Sequence, residues 1–60
     1  MEQTIDIGPM SGKSNVTYWL EHRGIPPTEE RVDAIYNKAK QSDRLLTTGE
    51  ILTTIGLPAA

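Results

Sequence analysis

The residues best suited to chemistry lie in one short segment near the start of the chain. Gly8, Gly12, Lys13 and Ser14 are spaced much like a phosphate-binding loop, whose backbone N–H groups wrap a phosphate while a lysine neutralises it. The spacing between the two glycines is one residue shorter than such a loop requires. The motif also needs a βαβ unit, for which 60 residues leave no room. We therefore do not expect nucleotide hydrolysis.

A weaker version of this site remains open. Free N–H groups at the start of a helix, with a lysine beside them, can bind an anion, and the same segment could instead contact a partner. The candidate contact residues are Ser11, Gly12, Lys13, Ser14 and Asn15. The simpler interpretation, which we favour, is that Ser11 or Ser14 caps the helix, because caps are far commoner than ligand sites.

The remaining residues offer no second constellation. The chain has no cysteine, and its single histidine, His22, cannot form a metal site alone. Glu29 and Glu30 are adjacent in a predicted helix, so they point to different sides and cannot act on one bond. The sequence predicts no catalytic residue, no cofactor and no metal.

Composition limits the partners. A net charge of −2 argues against a nucleic-acid partner, which usually selects a basic face. The longest apolar run is too short for a membrane span, and the polar start does not resemble a signal peptide. We therefore expect a cytoplasmic protein with no membrane partner.

Apolar periodicity predicts an all-α fold, a small three-helix domain with an extended N-terminal arm. The expected helices cover about residues 12–23, 29–41 and 48–55. The expected domain covers residues 11–57, between an arm over residues 1–10 and a tail over residues 58–60. The candidate core contains mainly aliphatic side chains: Val16, Trp19, Leu20, Ile25, Val32, Ile35, Tyr36, Leu45, Leu46, Ile51, Leu52, Ile55 and Leu57.

The helix ends carry local signals. Gly24 and Gly56 suit the left-handed residue of a Schellman motif after the first and third helices. Thr28 is the expected N-cap of the second helix. Thr47 and Glu50 form the pattern of a capping box before the third.

With these residues in view, the chain resembles the region that follows the TIM barrel in 2-isopropylmalate synthases, with similar segments in homocitrate and citramalate synthases. The resemblance spans about residues 5–56. It rests on the combined pattern of three runs and the stretch from Thr28 to Ile55; the runs are Gly8-Pro9-Met10-Ser11-Gly12-Lys13-Ser14-Asn15-Val16, Tyr18-Trp19-Leu20-Glu21 and Gly24-Ile25.

The resemblance implies a non-catalytic helical interaction or linker module, an accessory part of enzymes of leucine biosynthesis and related pathways. In that family the barrel carries the metal and the acyl-CoA chemistry, and this chain lacks the barrel, so no catalytic residue transfers. The sequence leaves open whether the chain is an excised domain, a truncated gene product or a small protein that reuses the fold. The alternative function is a small helical nucleic-acid-binding protein that docks through Lys38 and Lys40 on the second helix.

Three short helices cannot cover every apolar side chain in the sequence. We expect a residual apolar patch near Ile7, Met10 and Tyr18, where a neighbouring domain would pack. The expected partner is a protein, either a second copy in a weak homodimer or a barrel-containing synthase.

Overall fold

In a computed structural model that describes residues 5–58, the chain folds into three helices, α1 (Lys13–His22), α2 (Glu29–Lys40) and α3 (Thr48–Thr54). The described residues contain no strand. This confirms the all-α prediction. The expected arm and tail extend into residues 1–4 and 59–60, which lie outside the described residues. None of the helices in residues 5–58 is long and apolar enough to cross a membrane.

The helix boundaries follow from the predicted caps. Thr28 Oγ1 accepts a hydrogen bond from Arg31 N at 3.3 Å at the start of α2. Thr47 and Glu50 form the predicted capping box at α3. Because these caps satisfy backbone N–H groups that have no partner inside the helix, they define where α2 and α3 begin.

Two of the helices end in the same way. Gly24 has φ +72° and Gly56 has φ +79°, the left-handed conformation that favours glycine. After α1, Ile25 N donates to Leu20 O at 2.9 Å, and after α3, Leu57 N donates to Leu52 O at the same distance. Both ends are therefore Schellman motifs, as predicted.

The start of α1 differs from the prediction. Its N-cap is Gly12, in an extended conformation and with no side-chain cap. Ser14 lies inside the helix, and Ser11 lies before the cap with its hydroxyl bonded elsewhere. The prediction that Ser11 or Ser14 caps the helix was wrong, because a buried turn takes the Ser11 hydroxyl.

Helix α2 lies between the other two and packs against both. The core contains nine buried apolar residues from all three helices and from the loops: Ile7, Val16, Trp19, Leu20, Val32, Ile35, Ala39, Leu46 and Ile51. Leu45, which we placed in the core, is 54% exposed, because its neighbour Leu46 is the side chain that points inward.

The segment before α1 is part of this core. Ile7 is only 1% exposed, and its carbonyl accepts a hydrogen bond from Leu46 N at 2.8 Å. A Cβ at Gly8 would lie 2.7 Å from Leu45 Cδ2, so the arm approaches the loop before α3 closely. The predicted exposure of Ile7 was therefore wrong. The segment fills the space that the short helices leave open between α1 and α3.

Candidate functional site

The segment that resembled a phosphate loop forms a tight turn. Ser11 N donates to Gly8 O at 3.0 Å, which closes a four-residue turn with Pro9 and Met10 at its centre. Gly8 N donates to Ser11 Oγ at 2.9 Å, and Ser11 Oγ donates to Asp6 O at 3.3 Å. The hydroxyl therefore stabilises the turn from inside the fold. It does not face a ligand.

The lysine of this segment lies against α2. Lys13 Nζ is 3.1 Å from Asp33 Oδ1 and 5.2 Å from the centre of the Tyr36 ring. Lys40 Nζ lies 4.9 Å from the same ring centre and donates to Pro9 O at 2.7 Å. The ammonium groups of both lysines are attracted by the negative charge density of the Tyr36 ring face. Both cations connect the turn and α1 to α2.

The five candidate anion-binding residues therefore have different environments. Ser11 is buried, whereas Gly12, Ser14 and Asn15 are exposed. Lys13 pairs with Asp33, so its charge is already partly neutralised. The side chains of Ser14 and Asn15 make no hydrogen bond within residues 5–58. The structure does not bring them together with Ser11 and Lys13 into one anion-binding site.

The three candidate interface residues, Ile7, Met10 and Tyr18, also differ in their exposure to solvent. Met10, at the tip of the turn, is 95% exposed, and Tyr18 on α1 is 45% exposed. The Tyr18 ring lies 5.0 Å from the His22 ring, centre to centre, with the planes tilted. Leu45 is a third exposed apolar side chain, and it is in the loop that contacts Gly8. Within residues 5–58, the large apolar side chains that are exposed are thus Met10, Tyr18 and Leu45, while Ile7 is buried.

A salt bridge outside the predicted sites holds the start of α3. Arg44 Nη1 and Nη2 bind the two carboxylate oxygens of Glu50 at 2.8 and 2.7 Å. These bonds, together with the hydrogen bond from Thr47 N, lower the pKa of Glu50 to about 2. The Glu50 carboxylate likewise raises the pKa of Arg44. This pair extends the capping box and has a structural role.

Sequence reasoning missed a cleft between the arm, the end of α1 and the start of α3. Arg23 lies 4.6 Å from the centre of the Trp19 ring, and its Nη2 donates to Thr48 Oγ1 at 3.4 Å. The spacing of Trp19 and Arg23 places both on one helical face, which was the available signal. Asp6 and Thr48 also line this cleft. They come from parts of the chain distant in sequence from Trp19 and Arg23, and no local pattern indicates that they lie together.

Within residues 5–58, no three His, Cys, Asp or Glu side chains come together in a way that could hold a metal ion. No family model matches the chain, and no curated protein or solved structure was found to match it. The resemblance to the region after the barrel of 2-isopropylmalate synthases therefore stays a prediction from the sequence.

Proposed function

We propose that this chain is a non-catalytic helical interaction module, comparable to the accessory region after the barrel of acyl-CoA condensing synthases. The observation that carries the proposal is the exposure of Met10, Tyr18 and Leu45, whereas the other large apolar side chains within residues 5–58 are buried or half-buried. Exposed apolar patches on small proteins commonly mark protein interfaces. The compartment we propose is the cytoplasm.

The segment over residues 8–16, one of the runs that carry the family resemblance, supports a role in positioning. Its lysine pairs with Asp33, and its buried serine closes the turn that presents Met10. The segment thus fixes the position of the exposed methionine relative to α1. We infer that its partner is a protein, either a barrel-containing synthase or a second copy of the chain.

Binding to a partner tests the proposal directly. The purified chain should bind an isolated 2-isopropylmalate synthase barrel that lacks its own post-barrel region, or should self-associate weakly in sedimentation equilibrium. Replacing Met10 and Tyr18 together with serine should weaken that association and leave the circular dichroism spectrum unchanged. The matched control is Lys38→Ser, an exposed change on α2 that replaces a charged residue and leaves Met10, Tyr18 and Leu45 in place. A chain that stays monomeric at high concentration and does not bind the barrel would contradict the proposal.

The catalytic prediction has its own assay. The chain alone should give no acetyl-CoA-dependent condensation with 2-oxo acids above the buffer rate. Turnover that survives repurification and scales with protein concentration would show that the chain is an enzyme in its own right.

A further inference from the structure

The cleft beside Trp19 is large enough for a small ligand. Its volume is about 380 Å³, within the range of small-molecule sites. The apolar part of the lining consists of five side chains, the partly buried Ile5 and the buried Ile7, Trp19, Leu46 and Ile51. The polar part comes from Asp6, His22, Arg23 and Thr48. A ligand here would place an apolar body against the core and a polar group near these side chains.

Arg23 is the group most ready to bind an anion. Its guanidinium is stacked on the Trp19 ring and bonded to Thr48 through one nitrogen. Within residues 5–58 it forms no ion pair with a carboxylate, in contrast to Arg44. A guanidinium presents a planar set of donors that suits the two oxygens of a carboxylate. Because the stacking already restricts the side chain, binding costs little further ordering.

Asp6 limits which anion can enter. Asp6 is one of the residues that line the same cleft, and its carboxylate has no cationic partner within residues 5–58. A second negative charge on the ligand would be repelled by this carboxylate, and building such repulsion into a site is one way to exclude wrong ligands. The cleft therefore favours a ligand with a single negative charge over a dicarboxylate or a phosphate ester.

We propose that the cleft binds a small monocarboxylate with an aliphatic or aromatic body. The carboxylate pairs with Arg23, and the body packs against the apolar side chains that line the cleft, Ile5 and Trp19 among them. Neither Met10 nor Tyr18 lines this cleft, so the ligand proposal does not rest on the proposed protein interface.

The single tryptophan of the chain makes the test direct, because Trp19 lines the cleft. Fluorescence titration should show saturable binding of 3-phenylpropanoate and of 4-methylpentanoate. The uncharged 3-phenylpropanamide and the dicarboxylate phenylsuccinate should each bind about tenfold more weakly, the effect expected from losing a charge-assisted hydrogen bond or gaining a repulsion. Equal binding of acid and amide, or no saturable change with any acid, would overturn the proposal.

Variants assign the effect to named residues. Arg23→Gln should weaken binding of 3-phenylpropanoate about tenfold, whereas Arg31→Gln, an arginine outside the cleft lining, should not. Asp6→Asn should reduce the preference for 3-phenylpropanoate over phenylsuccinate. Circular dichroism verifies that each variant is folded. Equal losses in Arg23→Gln and Arg31→Gln would show that only net charge matters, and would refute the assigned site.

Discussion

Ser11 and Ser14 lie three positions apart but have different environments. Ser11 is buried, and its hydroxyl is the hydrogen-bond acceptor for the buried N–H of Gly8. Ser14 is exposed in the first turn of α1. A serine before a helix is usually assumed to be its cap, but here the buried Ser11 stabilises the preceding turn. The N-cap residue is Gly12, which has no side chain to cap the helix.

The two serines allow a matched comparison of stability. Ser11→Ala should lower the free energy of unfolding by about 1–3 kcal/mol, because it leaves the buried Gly8 N–H without its partner. Ser14→Ala should change it by less than about 0.5 kcal/mol, as for most surface substitutions. Urea denaturation followed by circular dichroism measures both values. Similar effects in the two variants would mean that the turn does not depend on the Ser11 hydroxyl.

At the scale of elements, α3 is the helix whose stability depends most on the interactions at its two ends. With 7 residues it is far shorter than an isolated helix that is stable in water. The capping box, the Arg44–Glu50 salt bridge and the Schellman motif at Gly56 stabilise it from both ends. Glu50 takes part in two of these three features.

The pKa of Glu50 predicts a pH dependence. Its folded-state pKa, about 2, is below the ordinary value of 4.5. The carboxylate therefore contributes stability above about pH 4.5, and this contribution is lost as the pH falls towards 2. Glu50→Gln keeps a side-chain acceptor for the capping box but cannot titrate. The stability difference between wild type and Glu50→Gln should thus be largest near neutral pH and shrink across this window.

Urea denaturation at a series of pH values measures that difference. Glu21→Gln is the control for net charge, because it removes the same charge from a side chain that makes no hydrogen bond or salt bridge within residues 5–58. A difference for Glu50→Gln that does not vary with pH would show that the salt bridge adds nothing in solution, as is common for exposed pairs.

The elements were predictable where their signals are local. Thr28, Thr47 and Gly24 each determine a helix end through bonds to residues a few positions away, so their types and spacing were sufficient. The position of Ile7 was not predictable, because it depends on Leu46, which is distant in sequence. The cleft at Arg23 was missed for the same reason: its lining comes from three separate parts of the chain.

For the molecule as a whole, the segment before α1 completes the core. A chain of this size rarely gains more than about 3–5 kcal/mol from one hydrophobic core. Ile7 is one of the most completely buried side chains, together with Leu20, Ile35, Ile51 and Val16. Its contribution is therefore a large part of the total stability, although it lies outside the helices.

This predicts opposite outcomes for two apolar residues of the same segment. Ile7→Ala should cost about 2–5 kcal/mol, the usual range for a buried isoleucine, and should leave much of the chain unfolded at room temperature. Met10→Ala should have little effect, because Met10 is 95% exposed. Thermal unfolding by circular dichroism distinguishes them. A cooperative transition in Ile7→Ala close to that of wild type would show that the helices form a sufficient core without the segment.

The hydrogen bond from Leu46 N to Ile7 O also has a kinetic meaning. The Leu46 amide lies before α3 and outside every helix, so its protection from exchange with solvent deuterium depends on the docked segment. The amides inside α2 exchange only when that helix opens. The ratio of the two exchange rates therefore reports how often the segment undocks while the helices stay intact. The exchange rate of one backbone proton thus distinguishes opening of the N-terminal segment from unfolding of the whole molecule.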